Sequence, residues 1–277
     1  MNLLIYLFLF IFGTAIGSFL NVLIDRLPKG RSINGRSKCD FCKKQLSGWD
    51  LIPVISFIIL GGKCRYCHKK LSFYYPLVEV ITGTIFVLIF NLKFLIFNQF
   101  LNLNNLIFIE NFKFQISNLL SLLASLGIIS CLIVIFFADL KYQIIPDSIQ
   151  IIFFLLSTIY HLGSRISISQ FPNFLVSGFL VMLPILFLWW VTKGKGMGFG
   201  DVKLAFNIGF LLGTKAGLLS LYFAFIVGAV IGLFLILMKK SKLKSKIAFG
   251  PFLVIGTVTM LIFENKIFEI IKQVYGF

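Results

Sequence analysis

Gly196-Met197-Gly198-Phe199-Gly200-Asp201-Val202-Lys203 sets a carboxylate behind three glycines at alternate positions, between an apolar run ending at Val191 and another beginning at Leu204. A charge beside a membrane core costs about 2.5 to 3.5 kcal/mol on insertion scales, so it marks a site or has a partner. The plainer alternative is a helix cap in a loop, with the glycines as linker. A second such acid, Asp139, closes the run Phe136-Phe137-Ala138. Its plainer reading is an interfacial pair with Lys141. Two carboxylates that meet in a partly dry site cannot both ionise readily, so one keeps its proton while the other acts as base on a shared water. That division of labour suits peptide hydrolysis: the base activates water, and the acid polarises the carbonyl and later protonates the leaving amine. Gly198 and Gly200 carry no side chain and would let an extended substrate backbone approach Asp201.

Cys39-Asp40-Phe41-Cys42 and Cys64-Arg65-Tyr66-Cys67 offer different chemistry. Two C-x2-C pairs with 21 residues between them have the spacing at which two knuckles present four thiolates to one tetrahedral zinc. Lys38, Lys43, Lys44, Lys63, Arg65 and Lys69 flank them and would offset the charge of such a centre. Disulfides, redox-active dithiols and unliganded thiols are the alternatives; a reducing compartment argues against stable disulfides. Four sulfurs leave the metal no open position, so its role is structural. His68 reads as a solvated loop residue and Cys131 as a packing residue. Glu79, in Tyr75-Pro76-Leu77-Val78-Glu79, has three open readings: support for the acid site, a seat for a substrate amine, or a pair with a basic loop residue. Asp147 follows Pro146 and reads as a helix N-cap.

These residues need elements to hold them, and the composition says where those elements lie. A 277-residue chain that is 58% hydrophobic and 13% charged, with mean hydropathy +0.98, must bury its surface in lipid. The net charge of +16 does not point to nucleic acid, because the bases lie between apolar runs, where they orient a membrane protein. The run Leu3 to Leu23 has no basic stretch ahead of it and is too long for the core of a cleaved signal, so it reads as a retained span. Further runs fall at 76–97, 118–138, 147–163, 173–192, 215–238 and 248–265, and the shorter 202–213 makes an eighth span. With the N-terminus outside, eight spans put 20 of the 26 basic residues in the inside segments 24–75, 139–146, 193–203 and 239–247. That topology makes the cysteine loop cytoplasmic and puts Asp139 and Asp201 on the same face. The loop at 98–117 is rich in Asn and Phe and offers no catalytic set, and the chain shows no internal repeat.

The ordered set resembles the bacterial type IV prepilin peptidase family. The resemblance rests on Gly17-Ser18-Phe19-Leu20-Asn21-Val22 with Arg26-Leu27-Pro28, the two C-x2-C pairs, Pro76-Leu77-Val78-Glu79, and Asp139 with Ile145-Pro146-Asp147. Gly196 to Lys203 and Phe249-Gly250-Pro251-Phe252 complete it. It implies an all-α polytopic membrane protein of about eight transmembrane helices, with a small cytoplasmic four-cysteine zinc-binding domain between helices 1 and 2. The expected parts are a first transmembrane helix at 1–24, the zinc-binding domain at 25–75 and a seven-helix membrane peptidase domain at 76–277. It further implies an inner-membrane aspartic endopeptidase with Asp139 and Asp201 catalytic and Glu79, Gly198, Gly200 and Lys203 in support. Its substrates would be prepilins and pseudopilins, with membrane lipid as the surroundings. S-adenosylmethionine would serve as donor for N-methylation of the new N-terminus. Where many relatives read Asp-x-Asp-His after the third span, this chain has Asp139-Leu140-Lys141-Tyr142. Two other functions compete: a metal-linked transporter or channel whose acids line an ion path, and a non-enzymatic assembly factor that docks through its cysteine loop.

Overall fold

A computed structural model describes residues 3–101, 108–164, 170–238 and 248–275, with side chains except at 92–116, 118 and 275. The expected loop at 98–117 is shorter than the sequence suggests: its ends at 98–101 and 108–117 are helical, and only 102–107 lies outside the described residues, as does the basic segment at 239–247. The elements are α1 Leu3–Arg26, α2 Ile55–Ile59, α3 Tyr74–Leu101, α4 Phe108–Tyr142, α5 Asp147–Gly163, α6 Phe171–Thr192, α7 Phe199–Leu212, α8 Thr214–Leu237 and α9 Gly250–Tyr275. Leu27–Lys29 and Gly48–Leu51 are 3-10 turns between α1 and α2. Each apolar run of the sequence falls on one of the long helices. Among the described residues five stretches are long and apolar enough to cross a membrane: Leu3–Lys29, Tyr74–Asn91, Leu119–Tyr142, Phe171–Thr192 and Thr214–Leu237. The helix Asp147–Gly163 is apolar but shorter. The described residues contain no strand, only isolated bridges between Lys38 and Gln45 and between Lys63 and Lys70.

The chain forms two compact units, Met1–Val134 and Ile135–Phe277. In the first, α1 and α3 pack through glycine. A Cβ on Gly13 would lie 2.7 Å from the Gly83 Cα, and one on Gly17 would lie 2.7 Å from the Glu79 Cα. Helices in lipid gain their contact from such close backbone approach, since lipid tails are as apolar as leucine. Buried Asn21 donates to the Tyr75 carbonyl at 3.1 Å and so fixes the register of α1 and α3.

The loop between α1 and α3 is built from two copies of one hairpin. The Cys39 N–H bonds the Lys44 carbonyl, the Lys43 N–H bonds the Cys39 carbonyl, and the Leu46 N–H bonds the Ser37 carbonyl. The same three bonds recur 25 positions later, from Cys64 to Lys69, His68 to Cys64 and Leu71 to Gly62. Lys43 and His68 both take positive φ, 59° and 55°. The copies also clasp each other: Lys44 lies 4.2 Å over the Tyr66 ring and Lys69 lies 5.0 Å over the Phe41 ring. An internal repeat therefore exists, contrary to the sequence reading. At ten residues, with identity confined to the cysteines, two lysines and a leucine, it is too short to stand out in a biased composition.

In the second unit α7 is the central helix. Its Gly209 meets the Ser177 carbonyl and Val181 of α6, its Phe210 accepts a hydrogen bond at the carbonyl from the His161 ring at 2.9 Å, and its Asn207 donates to the Gln150 carbonyl at 3.1 Å. These contacts tie α5 and α6 to α7 and leave the N-terminus of α7 beside the start of α5.

Candidate active site and metal centre

Asp139 stands on the last turn of α4 and is 5% exposed. Gln143, at φ 53°, then ends the helix, and residues through Pro146 turn the chain into α5. The Asp139 Oδ2 accepts the Gly250 N–H at 2.9 Å. Gly250 opens α9, so Asp139 satisfies one of the free N–H groups at that helix N-terminus. Asp201 occupies the third position of α7, is 7% exposed, and accepts the Gly198 N–H on Oδ2 at 3.1 Å. This is the side-chain half of a capping box; glycine has no side chain to supply the other half. Asp201 is thus a cap, as its plainer reading held, but with one oxygen. Its Oδ1 is buried and has no protein partner. A buried carboxylate oxygen left unpaired is uncommon and calls for water or a ligand.

The two carboxylates lie close enough for their charges to interact. Ile145 packs between their supports: a Cβ on Gly200 would sit 3.2 Å from the Ile145 Cβ, and one on Gly250 would sit 3.1 Å from the Ile145 Cδ1 and 2.7 Å from the Asp139 Oδ2. Gln150, 4% exposed on α5, donates from Nε2 to the Gly200 carbonyl at 3.1 Å and holds the residue before Asp201 in place. Asp147 is not the N-cap of α5; Pro146 is, and Asp147 in the first turn pairs with Lys203 at 2.8 Å. An acid there suits the helix dipole without capping the helix. Lys203 thereby links the first turns of α5 and α7 on an exposed side of the site.

The second cluster belongs to the first unit. The sulfurs of Cys39, Cys42, Cys64 and Cys67 all lie within 4.8 Å of one another, and those of Cys39 and Cys67 are 3.9 Å apart. Zinc–sulfur bonds of about 2.3 Å in a tetrahedron call for sulfur separations of roughly 3.8 Å, so the four thiols fit such an ion. Backbone N–H groups of Cys67 and Tyr66 hold the Cys64 thiol down at about 7. The Lys69 N–H pulls the Cys67 thiol down, yet burial together with the sulfurs of Cys64, Cys42 and Cys39 pushes it up to about 11. Thiols this close do not all ionise without a cation among them. Between the knuckles Asp50 accepts the Ser47 N–H and hydroxyl and pairs with Arg65 at 2.6 Å.

Residues 126–233 match the type IV leader peptidase family, and residues 11–93 match the bacterial peptidase A24 N-terminal domain. A prepilin leader peptidase/N-methyltransferase of Bacillus subtilis is 30% identical over 97% of this chain and 98% of its own. The chain belongs to the type IV leader peptidase family. Proteins of the same description from Stutzerimonas stutzeri and Pseudomonas aeruginosa are 28% and 26% identical, over 93% and 96% of this chain and 90% and 92% of theirs. No solved structure matches it.

In this family member the predicted site residues fall in two places. Asp139, Asp201, Gly198, Gly200 and Lys203 converge in the second unit. Glu79 lies in the first unit, where its Oε2 accepts the Val54 N–H at 2.7 Å. Val54, a β-branched residue at φ 59°, holds a strained conformation at the start of α2, and Glu79 fixes it there. None of the three sequence readings of Glu79 foresaw this backbone partner. Gly250 and Gln150 were also missed as site residues. Phe249-Gly250-Pro251-Phe252 was legible as a motif, yet nothing local shows that its glycine meets a carboxylate 111 positions away.

Proposed function

We propose that Asp139 and Asp201 are the catalytic pair of a prepilin leader peptidase. The enzyme processes prepilins and methylates the product, the two activities for which its relatives are described. The observation that carries the site is the pair of buried carboxylates, each with one oxygen held by a glycine N–H, and with Asp201 Oδ1 free for a water. In the reaction one carboxylate takes a proton from that water as its oxygen attacks the carbonyl carbon of the scissile bond. The protonated partner donates to the carbonyl oxygen. The tetrahedral intermediate then collapses, the carbon–nitrogen bond breaks, and the leaving amine takes a proton from the pair. The glycine N–H groups hold each carboxylate in one orientation throughout.

The proposed arrangement is eight spans with an outside N-terminus, in the inner membrane, with the acids and the cysteine loop on the cytoplasmic face. The three parts are then a first span at 1–24, a zinc-binding domain at 25–75 and a seven-helix peptidase domain at 76–277. Prepilins and pseudopilins are the substrates. Cys39, Cys42, Cys64 and Cys67 would hold zinc, which would cross-link the two knuckles and do no chemistry. S-adenosylmethionine is the methyl donor. The transporter reading is weaker because both acids stand at helix ends, Asp139 on the last turn of α4 and Asp201 on the first of α7, rather than at mid-span. Purified protein incubated with a prepilin and labelled S-adenosylmethionine is expected to release the leader and to label the shortened pilin. Label transfer without cleavage, or neither, would contradict the assignment.

A further inference from the structure

The segment between the two knuckles is apolar where a loop in water is not. Trp49 is 75% exposed, Ile58 70% and Ile59 76%, and Leu51, Ile55 and Phe73 are also exposed. Helix α2, Ile55-Ser56-Phe57-Ile58-Ile59, turns only part of itself inward: Phe57 packs edge-on against Phe73 at 6.0 Å and fills the space over Gly62. Trp49, Ile52, Ile55, Ile59 and Leu60 line a shallow groove of about 260 Å³, with Arg65 on its rim. An exposed apolar patch rimmed by charge marks a contact surface.

Two observations identify the occupant. The patch is tethered at both ends to stretches of span length and apolarity: Leu3–Lys29 precedes it, and Tyr74–Asn91 begins directly after exposed Phe73. Residues 25–75 also carry eleven Lys and Arg against three Asp, the balance that draws a juxtamembrane segment to anionic headgroups. Tryptophan with isoleucine on one side and bases around it is the composition of an element lying in the interface plane. We propose that residues 48–60 form a membrane-surface foot, seating Trp49, Ile55, Ile58 and Ile59 among the headgroups and upper acyl chains of an anionic bilayer. The foot holds the two knuckles against the membrane. The Glu79 bond to Val54 carries the seating to α3, because it fixes the N-cap residue of α2 to that helix.

The test uses the full chain in nanodiscs of phosphatidylcholine and phosphatidylglycerol, made with and without lipids brominated near the glycerol end of the acyl chain. The Trp49 signal is the difference between the protein and Trp49→Phe, which removes the contribution of Trp189 and Trp190. The proposal expects brominated lipid to quench most of the Trp49 emission, and expects aqueous iodide to quench little. Ile58→Lys with Ile59→Lys, checked for unchanged helical circular dichroism, should reverse both effects. Trp49 emission that ignores brominated lipid and yields to iodide overturns the proposal. Shielding that appears only when a prepilin is added also overturns it and assigns the patch to a protein partner.

Discussion

At the residue scale, the acids of the site are held by glycines that do different things. Gly250 has no room for a side chain, since a Cβ there would lie 2.7 Å from the Asp139 Oδ2. Gly250→Ala is expected to displace that carboxylate and lower leader cleavage by roughly 100-fold, as a misplacement near 1 Å does, with normal membrane insertion; cleavage within a few-fold of wild type would contradict it. The sequence suggests the glycines before Asp201 as a path for substrate backbone, and in the structure Gly198 and Gly200 differ. Gly200 packs on Ile145, so its substitution disturbs the fold of the site. Gly198 is exposed, and a Cβ there would meet only the Asp201 Oδ2, at 3.5 Å, and the Gly200 nitrogen. Gly198→Val is therefore the variant that reads substrate approach: a raised KM for a prepilin with unchanged helix content is expected, and an unchanged KM would remove the path. Asp139 and Asp201 were legible because an acid ending or opening an apolar run is conspicuous within a few residues. Gly250, Gln150 and the Asp147–Lys203 pair were not, because each acts through a partner far away in sequence.

At the element scale, the cysteine loop is two equal hairpins around one set of sulfurs. Its small apolar interior, with the buried side chains of Cys39 and Cys64 at the centre, would leave the proposed metal as the main cross-link between the copies. Chelation of the purified protein with a strong zinc chelator, or Cys39→Ser, is expected to remove one metal ion per chain, measured by elemental analysis. Loss of protection in the 37–46 and 62–71 backbone amides by hydrogen exchange should accompany it. Unchanged protection after complete metal removal would contradict the structural role. The cysteine spacing announced this centre in the sequence. The symmetry around it was hidden, because it resides in backbone bonds and in the crossed Lys–aromatic contacts rather than in shared letters.

At the scale of the whole molecule, the apolar runs gave the helices, since no polar segment interrupts them and lipid demands that backbone groups be satisfied within each helix. Among the described residues five of the stretches reach the length and apolarity of a span; α5 and α7, at 17 and 14 residues, are shorter, and each begins at a turn that supports the acids. The end of the long α4 and the start of the short α7 bring two carboxylates from distant parts of the chain into one site. The central claim is that these two carboxylates share the chemistry of cleavage. It is tested most directly by measuring prepilin leader release by Asp139→Asn and Asp201→Asn, purified and compared with the wild type. Asn preserves an oxygen that accepts the glycine N–H, so both variants should insert and fold, and both should lose leader release to background. Cleavage surviving in either one would contradict the account.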